Sequence, residues 1–178
     1  MKMISNLSVR FKLLLLTVPL IICIVASVIF AGVQINSTSD KVTHVYYDML
    51  YTVNGTVLNA DRDFYQALTG ATQYYDMING YSAMPPEMIE EYLPQKLDDY
   101  KTNYQQVVDK VTKAAEVAKN DETLYRGIKA EDGETFEDAS TKFLDNMKVW
   151  VTLFDVEKNT GDWTEFNAQF DSSRDLLD

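Results

Sequence analysis

The stretch Leu58–Ala67, LNADRDFYQA, holds the densest set of groups able to do chemistry in this chain. On a helix Asp61 and Tyr65 lie four residues apart, as do Arg62 and Gln66, so each pair shares a face. A carboxylate at a helix interface needs a cationic partner, because an unpaired buried charge is costly. For Asp61 and Asp63 that partner is either an Arg or Lys of a neighbouring helix or subunit, or the ammonium group of a ligand. Arg62 offers a planar fork that suits a ligand carboxylate, or is simply solvated. Asn59, Asp61, Arg62, Asp63, Tyr65 and Gln66 are therefore the candidate ligand-binding residues. Tyr46, Tyr47, Tyr51, Tyr65, Tyr74 and Tyr75 add an aromatic stripe, which either packs as core or presents ring faces to a cation.

Other chemistries lack their residues. His44 is the single histidine and Cys23 the single cysteine, and Cys23 lies inside an apolar run, so no metal set or internal disulfide is expected. There is no Gly-rich phosphate loop and no nucleophile elbow. Carboxylate pairs such as Asp98 and Asp99, or Glu90 and Glu91, fall on solvated helix faces. No catalytic residue, no cofactor and no enzyme activity are expected.

Positioning the candidate site falls to long helices. Tyr46, Leu50, Val53, Val57, Ala60, Phe64, Ala67, Ala71, Tyr74 and Ile78 alternate at spacings of four and three. Such a heptad seam predicts a helix over 36–79, ending at Gly80. A second seam runs one residue further on: Tyr47, Tyr51, Asn54, Leu58, Asp61, Tyr65, Leu68, Thr72 and Tyr75. Two seams imply two neighbours, one within the chain and one in a second subunit, although a single wide stripe facing one bundle also fits.

After the turn GYSAMPPE, the seam Leu93, Leu97, Tyr100, Tyr104, Val107, Val111, Ala114 and Ala118 predicts a second helix from Pro86 to Lys119. Pro94 is expected to delay its regular start to about Tyr92. Residues 120–134 form a connection with one short helical piece. A third helix carries Phe136, Ala139, Phe143, Met147, Trp150 and Phe154 and breaks at residues 159–162, NTGD. Asp162 and Glu165 then open a fourth helix in the manner of a capping box, with Trp163, Phe166, Phe170 and Leu177 on one face. No strand is expected. The fold class is all-α, an antiparallel four-helix bundle running up-down-up-down behind one N-terminal transmembrane helix. The fourth helix has room for about 24 Å against over ~60 Å for the first. The sequence thus reads as ending before a returning helix, a second span and an internal module.

The membrane segment is Leu13–Val33, 21 residues without a charge, which spans roughly 30 Å of hydrocarbon. A cleaved signal peptide has a shorter apolar region. Lys2, Arg10 and Lys12 are the only charges before Asp40, which places residues 1–12 in the cytoplasm and residues 34–178 outside. The whole chain carries a net charge of −11, and from Asp40 onward thirteen basic residues face 27 acidic ones, a net of −14. That field excludes nucleic acid as a partner and favours cations, amines or a basic partner.

This arrangement resembles the N-terminal half of bacterial methyl-accepting chemotaxis proteins: the basic start KMISNLSVRFKLL, a first span, and a long helix carrying LNADRDFYQA. The ten-residue motif looks like one found on the first sensor helix of many such receptors. The resemblance implies a homodimer embedded in the inner membrane, with a small-molecule ligand, amine or amino-acid-like, held between helices near the subunit interface. It also implies a cytoplasmic adaptor and kinase contacted by a C-terminal part that the sequence does not include. Aspartate- and serine-type receptors hold the ligand carboxylate with several arginines along this helix, whereas here Arg62 stands alone. Only the segment from Asn59 to Gln66 carries over. A longer two-module helical sensor, a histidine-kinase or cyclic-nucleotide-enzyme sensor, and a ligand-free helical spacer are the competing expectations.

Overall fold

A computed structural model describes residues 8–177 of the chain. Lys2 and Asp178 lie outside them. The protein is all-α, with one small hairpin, and divides into two compact units between Val45 and Tyr46.

The first unit is helix α1, Val9–His44, which buries none of its described side chains. Its apolar stretch has a mean hydropathy of 3.0, and the helix is long and apolar enough to cross a membrane. It runs on through Pro19, whose ring removes one backbone donor. Ser27 donates its hydroxyl to the Cys23 carbonyl at 2.8 Å, so its polar group is satisfied along the helix.

A ten-residue π-helical segment, π1, spans Val45–Asn54 and precedes α2, Gly55–Ile78. The expected heptad helix over 36–79 is therefore not uniform: residues 45–54 within it depart from the α-helical turn. Thr52 donates its hydroxyl to the Tyr47 carbonyl five residues back, at 2.8 Å, which suits a five-residue turn. Asn54 and Gly55, both poor helix formers, mark where the α-helix resumes. The Tyr46 and Leu50 side chains lie outside the described set.

Within the second unit the first seam packs as the pattern predicts. Val53, Ala60, Phe64, Ala67, Ala71 and Tyr74 are buried, whereas Ile78 at the end of the helix is exposed. Helix α3 covers Pro86–Ala118 and buries Tyr100, Val107, Val111, Ala114 and Ala118. It starts at Pro86 without the delay expected from Pro94, because Pro86 occupies the first position, where a helix has no use for its donor. At Gly70 the backbones of α2 and α3 meet: a Cβ there would sit 2.8 Å from the Tyr100 nitrogen.

A short π-helical turn, π2, spans Thr123–Gly127 and buries Tyr125. Helix α4, Phe136–Leu153, opens on a full capping box: the Thr135 hydroxyl accepts from the Asp138 N–H at 3.2 Å, and Asp138 accepts from the Thr135 N–H at 3.1 Å.

The third helix ends at Leu153, not at residues 159–162, and a two-stranded antiparallel hairpin takes over, correcting the expectation of no strand. Its strands are β1, Phe154–Asp155, and β2, Thr160–Gly161. Asp155 accepts the Lys158 N–H at 3.0 Å and so closes the turn. Gly161 has φ +126°, and a Cβ there would lie 2.3 Å from the Leu153 carbonyl, so only glycine fits. Helix α5, Trp163–Arg174, is capped by the Asp162 carboxylate accepting the Glu165 N–H at 2.9 Å.

Helix α2 contacts α3 and α5, and α4 contacts both α3 and α5. Their shared core centres on Trp150, fully buried, whose indole N–H donates to the Phe166 carbonyl at 2.8 Å. Phe64 meets Phe143, Trp150 and Phe170 with ring centroids 5.5, 5.1 and 4.3 Å away. Each fully buried ring is worth about 1.5–3 kcal/mol of transfer free energy.

Candidate functional site

One turn of α2 aims two carboxylates at two different helices. Asp63 is fully buried and both its oxygens are taken. Oδ1 accepts from Arg62 Nε at 3.1 Å and Nη2 at 2.8 Å, and Oδ2 accepts from Lys110 Nζ on α3. Asp61 is half-buried and accepts from Arg174 Nε on α5 at 3.0 Å. The Arg174 guanidinium also lies 4.7 Å over the Tyr65 ring, which meets Phe170 in a T-shaped contact at 5.5 Å. Asp61 and Tyr65, four residues apart, thus hold one cation between them, as their spacing predicts.

Arg62 keeps most of its side chain in solvent while its fork closes on Asp63. Asn59 is exposed and donates its amide to the Gly55 carbonyl at 2.8 Å. Gln66 is exposed and sits one turn beyond Arg62. The structure therefore brings Asp61 with Tyr65, and Arg62 with Asp63, into two adjacent ionic groups, and leaves Asn59 and Gln66 on the solvent side.

Two residues complete these groups that the motif alone does not contain. Lys110 lies between the core positions Val107 and Val111, and Arg174 lies four residues after the core position Phe170. A basic residue beside an apolar seam, facing a helix with an interrupted seam, is the signal that points to each.

No protein-family model, curated protein or solved structure matches this chain. What the site can do is thus read from its own groups.

Among the described residues no cluster of three His, Cys, Asp or Glu converges to hold a metal ion. Nor, among the described residues, does any buried side-chain nitrogen or oxygen lack a hydrogen-bond partner. Further along α3, burial pushes the Tyr100 hydroxyl up from its ordinary pKa, reinforced by Tyr104 and Asp155, and burial likewise raises Tyr104. Both rings stay neutral phenols beside Trp150. Of the two ionic groups, the one formed by Asp61, Tyr65 and Arg174 is the more open to solvent.

Proposed function

We propose that this chain is the extracytoplasmic ligand-sensing region of a transmembrane chemoreceptor. In this reading α1 crosses the cytoplasmic membrane with the N-terminus inside, and α2, α3, α4 and α5 form an antiparallel up-down-up-down four-helix bundle outside. Two copies pair along the exposed residues of the second seam, Tyr51, Leu58 and Tyr65. The ligand is a small amine or amino-acid-like molecule received by the Asn59–Gln66 segment, and occupancy shifts a helix that addresses a cytoplasmic adaptor and kinase.

The observation that carries this reading is the pairing of Asp61 with Arg174 beside Tyr65. Asp61 and Arg174 keep 25% and 33% of their side-chain surface in solvent. An ammonium group that binds Asp61 and the Tyr65 face displaces Arg174 and loosens the C-terminal end of α5, while Phe170 stays packed on Phe64. Differential affinity for the two arrangements is what a ligand-driven switch requires.

Thermal melting of the full chain in detergent, against a panel of amines and amino acids, tests the proposal. A ligand at a hundred times its Kd adds about 2.7 kcal/mol of stability. The shift is expected for at least one cationic compound and is expected to vanish in Asp61→Ala while helical circular dichroism persists. No shift with any compound, or an undiminished shift in Asp61→Ala, sinks the site assignment.

A ligand-free membrane-anchored spacer is the second reading, favoured by the fact that Asp61 and Asp63 already have protein partners. It predicts that no compound shifts the melt.

A further inference from the structure

The chain contains two Asn-Gly dipeptides, Asn54–Gly55 and Asn79–Gly80, and the structure treats them differently. Asn54 has helical backbone angles, φ −61° and ψ −46°, at the junction of π1 and α2. A helical backbone keeps the following amide in the hydrogen-bonded ladder along the axis. Asn79 is the C-cap of α2, with φ −89° and ψ 5°, and it is exposed. Gly80 follows in the left-handed region at φ +74°.

This helix end is a Schellman turn with one bond missing. The Tyr81 N–H donates to the Asp76 carbonyl at 2.8 Å, the long bond of that motif. The shorter bond, from the Gly80 N–H back to Met77, is absent, and among the described residues the Gly80 N–H has no hydrogen-bond partner. An exposed side-chain amide is therefore followed by an unengaged backbone nitrogen on a residue with no Cβ to hinder approach.

We infer that Asn79 is a spontaneous deamidation site, and that Asn54 in the folded protein is not. The Gly80 nitrogen loses its proton to water and attacks Asn79 Cγ. A C–N bond forms, the Cγ–Nδ2 bond breaks, and ammonia leaves with the proton, giving a five-membered succinimide. Water then opens either carbonyl and yields aspartate or isoaspartate, with no oxidant or reductant involved.

The conversion has a defined structural target. The Asn79 and Asn159 amides clasp each other, with Asn79 Nδ2 to Asn159 Oδ1 at 3.2 Å and Asn159 Nδ2 to Asn79 Oδ1 at 3.1 Å. Asn79 Nδ2 also donates to the Tyr75 carbonyl at 2.8 Å. An acid at position 79 loses both donations and sets carboxylate oxygen against the Asn159 and Tyr75 oxygens. The clasp between the end of α2 and the β1–β2 turn then opens. The same clasp restrains the Asn79 amide beforehand, so it is also the brake on the reaction. This inference is independent of whether the chain senses a ligand.

The experiment is peptide mapping by mass spectrometry of the full chain in detergent, incubated in warm, mildly alkaline buffer, with enzymatic methylation to count isoaspartate. Acid is expected at Asn79 at least about tenfold faster than at Asn54, each ~1.4 kcal/mol of barrier being tenfold in rate. In urea, where no fold distinguishes them, both sites convert. Asn159→Ala speeds conversion at Asn79 several-fold in the folded chain, and Gly80→Ala slows it. Equal rates at the two sites in the folded chain overturn the assignment. So does an intact Asn79 over a period in which the urea-unfolded chain converts.

Discussion

Asp61 and Asp63 stand two residues apart on one helix and each meets a basic residue from another helix, yet they are not equivalent. Asp63 keeps 1% of its side-chain surface in solvent and binds both Arg62 and Lys110, whereas Asp61 keeps 25% and takes one hydrogen bond from Arg174. Burial changes what a charge pair does. In a buried pair, removing one partner strands the other charge, whereas a pair reached by water contributes little net stability. On top of the apolar packing that both contacts share, breaking the ion pair should therefore cost more between α2 and α3 than between α2 and α5.

Lys110→Met is expected to have the largest effect, a loss of about 3 kcal/mol in chemical unfolding followed by circular dichroism, because one oxygen of buried Asp63 loses its partner while Arg62 keeps the other. Adding Asp63→Leu to that variant should restore most of the loss. A single-variant loss of under ~1 kcal/mol would show that water reaches Asp63 and would erase the distinction between the two carboxylates. Gly70→Ala tests the same interface without charge. Its Cβ would come 2.8 Å from the Tyr100 nitrogen, and the forced separation should cost about 1–3 kcal/mol in the same assay. Asp61→Ala should cost only about 0.2–1 kcal/mol, and a loss as large as that of Lys110→Met would make α5 as firmly held as α3.

The smallest effect should come from acid. The Arg126 hydrogen bonds hold the Glu137 carboxyl below its ordinary range, Thr135 does the same for Asp138, and Lys158 for Asp155. Because these folded values are depressed, their stabilisation is present above the ordinary carboxylate range and is lost as pH falls through the folded values. Thermal melts stepped downward in pH should decline there, and the decline should persist in Asp61→Ala, whose carboxylate belongs to none of these three pairings.

The seams were legible in the sequence because burial follows side-chain spacing. Phe64, Ala67 and Ala71, and likewise Val107 and Val111, are buried where the heptads place them. The need of Asp61 and Asp63 for cations was legible too, from the cost of burying charge. Their partners were not, since Lys110 and Arg174 lie 47 and 113 residues away and only packing brings them near. The end of α4 at Leu153 was hidden for a related reason. Phe154 continues the apolar helical spacing, and the turn is set by Asp155 closing on Lys158 and by the approach of Gly161 to the Leu153 carbonyl. The π-helical segment was not legible, because Tyr46, Leu50 and Val53 keep the four-and-three spacing of a heptad straight through it.

The two tryptophans give this protein two separate optical reporters. Trp150 is sealed in the core against Phe166, with rings 4.4 Å apart, while half-buried Trp163 stacks on Tyr75 at 4.2 Å and 2° beside the hairpin. Emission from Trp150 should stay blue-shifted and resist quenching until the whole unit unfolds. Emission from Trp163 should redden and become quenchable as soon as the hairpin end loosens from α2. Phenylalanine at one position and then the other would let the sealed core and the hairpin flank, joined through Phe166, be read separately.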